Sequence, residues 1–337
     1  MAKKKKTGIS LAVTILLCLL TALAGGVYTA YALMNEKYGG DHPAYTRELV
    51  RSLDRGSFEY KIAEKILGEQ SIAEMRQKEA QPAKDEAVKA DIPKAAADPD
   101  TNGDGVYIEH IYAPTYEGYM MVVKDPSKVY ITVNPDMGSG RAAPELEDYV
   151  EMNHALAGIN GGGFEDSGGT GNGSIPEGLV IQKGQIVHGT AATTSAIVGI
   201  TKDHKLVTTT TNGASALAMG VYEAVTFGPT FITDGRVTYR PGTDNLNMLN
   251  PRTAVGQQKD GTMLLLVIDG RGPSSFGAKY EDVIDIFRSY DAINAANLDG
   301  GNSTAMIYNG EYVNNTVSMY GSRNLPTVFL VKEGKGN

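Results

Sequence analysis

The chain predicts a single mixed-sheet globular domain of the α+β or α/β class, preceded by one N-terminal transmembrane helix and a stalk. Three observations predict it. From Val106 onward, short runs rich in β-branched and aromatic residues alternate with two helix-like segments. A strand–helix–strand pattern fills Thr262–Asn302. Before all this, no charged residue occurs between Lys6 and Glu36.

The 337 residues carry a net charge of −8, and four of the positive charges are Lys3–Lys6. The rest of the chain is more acidic still, which excludes a nucleic-acid binder working through a broad basic face. Cys18 is the single cysteine, so neither an intrachain disulfide nor a Cys-ligated zinc site can form.

Residues 1–34 read as a cytoplasmic tetra-lysine followed by an apolar span from Ile9 to Val27. About 20 such residues cross the hydrocarbon core, and the lysines set the N-terminus inside. Ala22-Leu23-Ala24 also suits signal cleavage, but the uncharged stretch continues past it to Met34, which favours the anchor. Both readings export the remainder. Residues 35–102 form the stalk: Val50, Leu53, Ile62 and Ile66 have helical spacing, whereas Arg76–Asp100 is a Lys/Glu/Ala linker broken by Pro82, Pro93 and Pro99.

Asp98, Asp100, Asn102, Asp104 and Glu109 match a calcium-loop pattern letter by letter. The context opposes it. The flanks are an Ala/Pro linker and the strand-like VYIEHIY, where an EF-hand needs two helices. No cofactor is expected, and a polar turn into the first strand is the simpler reading.

Within residues 103–337, strands are expected at Val106–Tyr112, Tyr119–Val123, Val129–Val133, Ala196–Ile200, Thr262–Ile268, Ile293–Leu298 and Val328–Val331. Helices are expected at Pro144–Leu156 and Glu281–Tyr290, the latter burying Val283, Ile284, Ile286 and Phe287. The apolar MLLLVI ends at Asp269, and INAANL ends at Asp299-Gly300-Gly301. A strand–helix–strand unit normally makes two parallel strands with a right-handed crossover, so both aspartates should share one sheet edge, where open α/β sheets hold ligands.

An earlier segment repeats the design: a helix, then Ala157-Gly158-Ile159-Asn160, then Gly161-Gly162-Gly163-Phe164. Such glycines allow close backbone approach and can expose N–H groups, but neither run has P-loop or Rossmann spacing. Arg252 follows Pro251 at the start of a strand, and Arg323 precedes the last one. A planar guanidinium suits phosphate or carboxylate. Ser303 and Ser174 lie near glycines without forming G-x-S-x-G, and none of the five histidines falls in a motif, which disfavours a serine hydrolase.

Taken in order, Ile159–Phe164, Phe227-Gly228-Pro229, Pro251–Gly256, Ile268–Arg271 and Asn297–Thr304 resemble the bacterial phosphodiester glycosidase domain. That family is related to animal enzymes acting on N-acetylglucosamine-1-phosphodiesters, and bacterial members are often described as exopolysaccharide-biosynthesis proteins. The resemblance spans about Asp104–Lys332. Asn302, where Gly or Ser is expected, and Arg323-Asn324-Leu325-Pro326, in place of an Arg-Pro pair, depart from the pattern.

The resemblance implies an extracytoplasmic hydrolase that cleaves the glycosidic bond of a sugar-1-phosphodiester on an envelope polysaccharide or wall polymer. It would release the sugar and leave a phosphate monoester. Catalytic candidates are Asp299, Asp269, Arg252 and Glu177, with Glu165 a weaker carboxylate. Arg252 would take the phosphate, assisted by Arg323 or Arg271. Asn160, Gly161, Gly162, Phe164, Gly300, Gly301, Ser303 and Thr304 would contact substrate. The alternative is a non-catalytic envelope module that binds phosphorylated glycan and assists polymer assembly.

Overall fold

A computed structural model describes residues 103–166, 171–240, 248–272, 275–317 and 322–333, together with Lys61 and Asp100. The chain divides into Met1–Lys78 and Glu79–Asn337. The expected anchor and most of the stalk lie outside the described residues. Among the described residues, no helix is long and apolar enough to cross a membrane.

The strands are β1 (Val106–Tyr112), β2 (Glu117–Val123), β3 (Val129–Val133), β4 (Ala155–Asn160), β5 (Val180–Gln182), β6 (Gln185–His188), β7 (Thr194–Thr201), β8 (Leu206–Asn212) and β9 (Val221–Thr226). They continue with β10 (Thr230–Thr233), β11 (Arg236–Val237), β12 (Arg252–Gln258), β13 (Met263–Ile268), β14 (Ala292–Leu298), β15 (Met306–Tyr308), β16 (Glu311–Tyr312) and β17 (Thr327–Lys332). Among the described residues from 103 onward, three short α-helices accompany them: α1 (Leu146–Met152), α2 (Gly213–Ala218) and α3 (Tyr280–Ser289).

The strands form a seven-stranded sheet in the order β1-β2-β13-β12-β14-β10-β11, and two five-stranded sheets, β16-β15-β4-β17-β3 and β6-β5-β9-β7-β8. One core lies between all three. It takes Met121, Val255, Leu265 and Val267 from the first sheet, Ile131, Ile159 and Phe329 from the second, and Val198, Ile200 and Val225 from the third. The outer face of the first sheet is covered by α3, whose Val283, Ile284, Ile286 and Phe287 are buried there. Leu146, Tyr149 and Val150 of α1 pack on the outer face of the second sheet, and Ala216 of α2 on that of the third. Each sheet therefore buries both faces, which is why β13 reads as an uninterrupted apolar run.

The seven expected strands form, within two residues at either end. β13 and β14 run parallel to each other, as expected, and β12 lies between them, antiparallel to both. Only four residues join Gln258 to Met263, so β12 and β13 must close as a hairpin, with Gly261 at φ +102 in the turn. α3 then crosses β12 and delivers β14 to its far side. A Cβ at Gly256 would sit 2.7 Å from the Phe287 ring, so the glycine sets how closely α3 approaches.

The expected helix Pro144–Leu156 also splits. It runs only from Leu146 to Met152, turns through His154 at φ +47, and gives way to β4. Leu156 and Ala157 are drawn into a strand held by β15 and β17, a tertiary contact that local spacing does not contain.

Candidate active site

Because β12 runs opposite to its neighbours, its first residue lies beside the last residues of theirs. Arg252 pairs with Ile268, and Thr253 with Leu298. Asp269 and Asp299 therefore share one sheet edge, as expected, with Arg252 on the strand between them, and the two aspartates are two strands apart, about 10 Å. Each has a different set of partners.

Asp299 is clamped by the first glycine motif. The Asn160 amide nitrogen donates to the Asp299 carbonyl at 2.5 Å, and the Asp299 N–H donates to the Gly161 carbonyl at 3.1 Å. The two helix–strand–glycine segments thus meet in space. Asn160 itself is fully buried, and its Oδ1 accepts from Thr253 Oγ1 at 2.7 Å and from the Ala305 N–H at 3.2 Å. A side chain so fully engaged braces the Asp299 loop; it does not reach a sugar.

The glycines act in the same way. Gly162 N–H donates to Thr327 Oγ1 at 2.9 Å and Gly163 N–H to the Thr226 carbonyl at 3.0 Å, which takes both away from any ligand. A Cβ at Gly161 would lie 2.6 Å from Thr327 Oγ1, and one at Gly162 would lie 2.7 Å from the Thr226 carbonyl. At Gly163 the same position is 2.8 Å from a Glu177 carboxylate oxygen and 3.0 Å from the Phe227 ring. The run is glycine because two strands and the Glu177 side chain fill the space where side chains would be.

That packing brings Glu177, exposed to solvent, over Gly163 and within electrostatic reach of Asp299. Arg323 completes the group. Its Nη1 and Nη2 donate to the two Asp166 oxygens at 2.6 and 2.8 Å, its Nη2 donates to the Gly171 carbonyl at 3.1 Å, and its guanidinium lies 4.7 Å from the Phe164 ring centre. Phe164 is buried in the α1 core and supports the arginine; it offers no open ring face to a sugar. Glu165 is an exposed loop residue.

The Asp299 carboxyl is pushed up to about 7. Desolvation is the largest cause, and the neighbouring Glu177 and Asp166 carboxylates add to it. The Ser303 hydroxyl bond and the Arg323 charge pull the other way. Asp166 moves in the opposite direction, held low chiefly by its bonds to Arg323. The group therefore contains a carboxyl that takes up a proton near neutrality beside an oriented cation, the pattern used for acid–base chemistry.

Asp269 belongs elsewhere. Its oxygens accept from Asn314 Nδ2 at 3.1 Å and from the Asn315 N–H and Nδ2, each at 3.2 Å. Burial pushes its carboxyl upward, and Glu117, not Asp299, is the acidic neighbour that contributes. It lines a hollow of about 170 Å³ with Arg271, Ser275 and Asn315. Arg271, at φ +60, donates to Asn302 Oδ1 at 2.5 Å and to Asn250 Oδ1 at 3.1 Å. The departure at Asn302 thus positions this arginine.

Arg252 does not face the Asp299 group. It is buried, donates from Nε to the Ala278 carbonyl at 2.9 Å and from Nη2 to the Met248 carbonyl at 2.5 Å, and stacks 4.2 Å over Tyr280. The expected phosphate arginine is a packing residue that ties the β12 edge to the α3 entry. Among the remaining candidates, Gly300 and Gly301 form the turn beside Pro251, whose carbonyl accepts from Gly301 N–H at 3.0 Å. Ser303 and Thr304 are buried, with Ser303 bonded to Asp299.

The calcium-pattern residues that are described point to protein partners. Glu109 accepts from the Tyr290 hydroxyl, Asp104 from Val106 N–H at 2.7 Å, and Asp100 from Gly105 N–H at 3.1 Å. Asp98 and Asn102 lie outside the described residues. Among the described residues, no three His, Cys, Asp or Glu side chains are grouped so as to hold a metal ion.

Asp166 was not singled out from the sequence, because nothing in a Gly-rich loop marks the one carboxylate that orients an arginine 157 positions away.

The phosphodiester glycosidase family model matches residues 153–332, more than half of the chain and all of the Asp299 group. The chain belongs to the phosphodiester glycosidase family. It is similar to mouse N-acetylglucosamine-1-phosphodiester alpha-N-acetylglucosaminidase, 27% identical over 224 residues, which is 60% of this chain and 42% of that protein. The human protein of the same name is 24% identical over 239 residues, 65% and 45% of the two chains. The chain thus spans less than half the length of these relatives. An SPbeta prophage-derived uncharacterized protein of Bacillus subtilis, YomE, is 35% identical over 101 residues, 29% of this chain and 16% of that one. Among solved structures, the zebrafish catalytic domain of the same glucosaminidase, auto-inhibited by its pro-peptide, shares the fold with a TM-score of 0.54. It is 22% identical, over 68% of this chain and 82% of that one.

Proposed function

We propose that this protein hydrolyses the glycosidic bond of a sugar-1-phosphodiester of the GlcNAc-1-phosphodiester type, and that the Asp299–Glu177–Arg323 group does the chemistry. The observation that carries the reading is a carboxyl raised to about 7 beside an arginine already oriented by Asp166. A phosphodiester is an anion, and an ionised carboxylate would repel it. Asp299 in its protonated form does not, and Arg323 offsets the phosphate charge.

Asp299 delivers its proton to the phosphate oxygen as the C1–O bond breaks and the bonding pair passes to that oxygen. Glu177 stabilises the positive charge developing at C1 and receives the proton of the incoming water. Exchange with solvent then restores both carboxyls. A phosphate monoester, with a second pKa of about 6, is a better leaving group than an alkoxide, so one partly available proton and one guanidinium suffice. Asn160, Gly161 and Ser303 hold Asp299 in place.

The charge pattern of residues 1–36 supports an extracytoplasmic domain tethered to the membrane, with an envelope polysaccharide or wall polymer as its phosphorylated glycan. The test uses the full-length protein and the methyl phosphodiester of GlcNAc-1-phosphate, with free sugar followed by NMR. Release that is lost in Asp299→Asn is the expected result. Saturable shift changes without release would instead show a non-catalytic glycan-binding module.

A further inference from the structure

Residues 322–325 carry Arg323 and are tied to the entry of α1 by hydrogen bonds. Leu146, the first residue of α1, has an N–H with no acceptor inside the helix, and it donates to Ser322 Oγ at 2.7 Å. The Asn324 amide nitrogen donates to the Ala143 carbonyl at 2.6 Å, and Leu325 N–H to the Pro144 carbonyl at 3.0 Å. Tyr149 of α1 donates its hydroxyl to the Leu325 carbonyl at 2.7 Å, and both residues are buried. Asn324 and Leu325 are the residues that depart from the Arg-Pro pair of the family pattern, so the departure is part of what α1 grips. Tyr312 of β16 closes the cradle. Its ring packs on the α1 core, its oxygen accepts from the Ser322 N–H at 2.7 Å, and its proton goes to Glu147 of α1. The Glu147 carboxylate also lies 3.2 Å from the Ser322 hydroxyl.

Resting on the role given to Arg323 in the proposed hydrolysis, we infer that Tyr312 and Ser322 are positioning residues, which fix against α1 the backbone from which Arg323 reaches Asp166 and the Asp299 group. A long arginine side chain has many rotamers, and its guanidinium is held in one place only if its backbone and its partners are held as well. Asp166 and the Phe164 ring fix the far end of the side chain. Ser322 and Tyr312 fix the near end, one residue before it. The Arg323 charge pulls the Asp299 carboxyl down, whereas Glu177 and Asp166 push it up. A guanidinium that drifts from its place weakens the first effect and unmasks Asp166, so Asp299 then titrates at higher pH. A tyrosine that serves only the fold would lower the melting temperature and leave that titration where it is.

The experiment follows the Asp299 carboxyl carbon by NMR titration of the full-length protein, with the Asp299→Asn spectrum assigning the signal. Tyr312→Phe keeps the ring in the α1 core and removes the acceptor of the Ser322 N–H. Tyr312→Phe and Ser322→Ala should each raise the Asp299 midpoint, and Arg323→Ala should raise it most. The double variant Tyr312→Phe/Arg323→Ala should titrate no higher than Arg323→Ala alone, because Tyr312 acts through the arginine. Tyr290→Phe, which removes a hydroxyl bond to Glu109, is the structural control and should leave the midpoint unchanged. On the methyl phosphodiester of GlcNAc-1-phosphate, Tyr312→Phe should lower kcat/KM about tenfold. A folded Tyr312→Phe with the wild-type midpoint would overturn the inference, and so would a further rise in the double variant. If Ser322→Ala does not fold, Tyr312→Phe decides alone. If wild type releases no sugar, the hydrolytic reading fails, while the midpoints still decide whether Tyr312 positions Arg323.

Discussion

Replacing Asp299 by asparagine should make the protein more stable at pH 8 while removing its activity. The carboxyl titrates near 3.8 in an unfolded chain and at about 7 in the folded one. Between these values the native state keeps a proton that the unfolded state has lost, so stability falls as pH rises through the window. Above pH 7 the native protein carries the whole penalty, about 4 kcal/mol at 1.36 kcal/mol per pKa unit. Asparagine has no charge to desolvate, keeps the carbonyl that accepts from Ser303, and leaves the Asn160 clamp intact because that clamp holds the backbone. The variant should match wild type at pH 4 and exceed it by up to about 4 kcal/mol at pH 8. For a domain of this size that is on the order of 10 °C in Tm. Thermal melts of both proteins from pH 4 to 8 measure the gap directly. A gap that stays constant with pH, or an asparagine variant less stable at pH 8, would refute the assignment of Asp299 as a desolvated carboxyl.

Arg323→Ala should lower kcat/KM by on the order of 10²–10³, as expected for a charge partner of the transition state, with folding retained. Arg252→Ala should act mainly on stability, losing about 2–4 kcal/mol by urea titration, because it leaves the Ala278 and Met248 carbonyls and the Tyr280 face without their partner. Asn160→Ala removes three hydrogen bonds, two of them buried, and should reduce kcat far more than it changes KM, since it releases the Asp299 loop without touching substrate. Gly162→Ala places a methyl group 2.7 Å from the Thr226 carbonyl and should yield protein that melts well below wild type, or none that folds.

The strands whose residues are buried on both faces were legible as apolar runs, and so were the edges where they stop at Asp269 and Asp299. The short strands β5, β6, β10, β11, β15 and β16, of two to four residues each, were not, because so few residues carry no readable period. The partition of the site was hidden for another reason. Arg252 and Arg323 are both arginines beside strands, and only packing shows that one is spent on carbonyls and a tyrosine while the other is presented by a carboxylate. The glycine runs pointed to close approach, which is correct, but toward neighbouring strands and Glu177 and away from a ligand.

By itself the sequence determined the protein's family, through five ordered motifs, and marked the candidate groups, carboxylates at strand ends and arginines nearby. Those features are local: a run of side chains and the residue that ends it. The tertiary structure alone decided which of these groups lie together. β12, folded back as a hairpin between β13 and β14, separates Asp269 from Asp299 by two strand spacings, and desolvation around Asp299 sets its proton near neutrality. Strand order and burial are properties of chain segments that meet across the fold, and no window of sequence contains them.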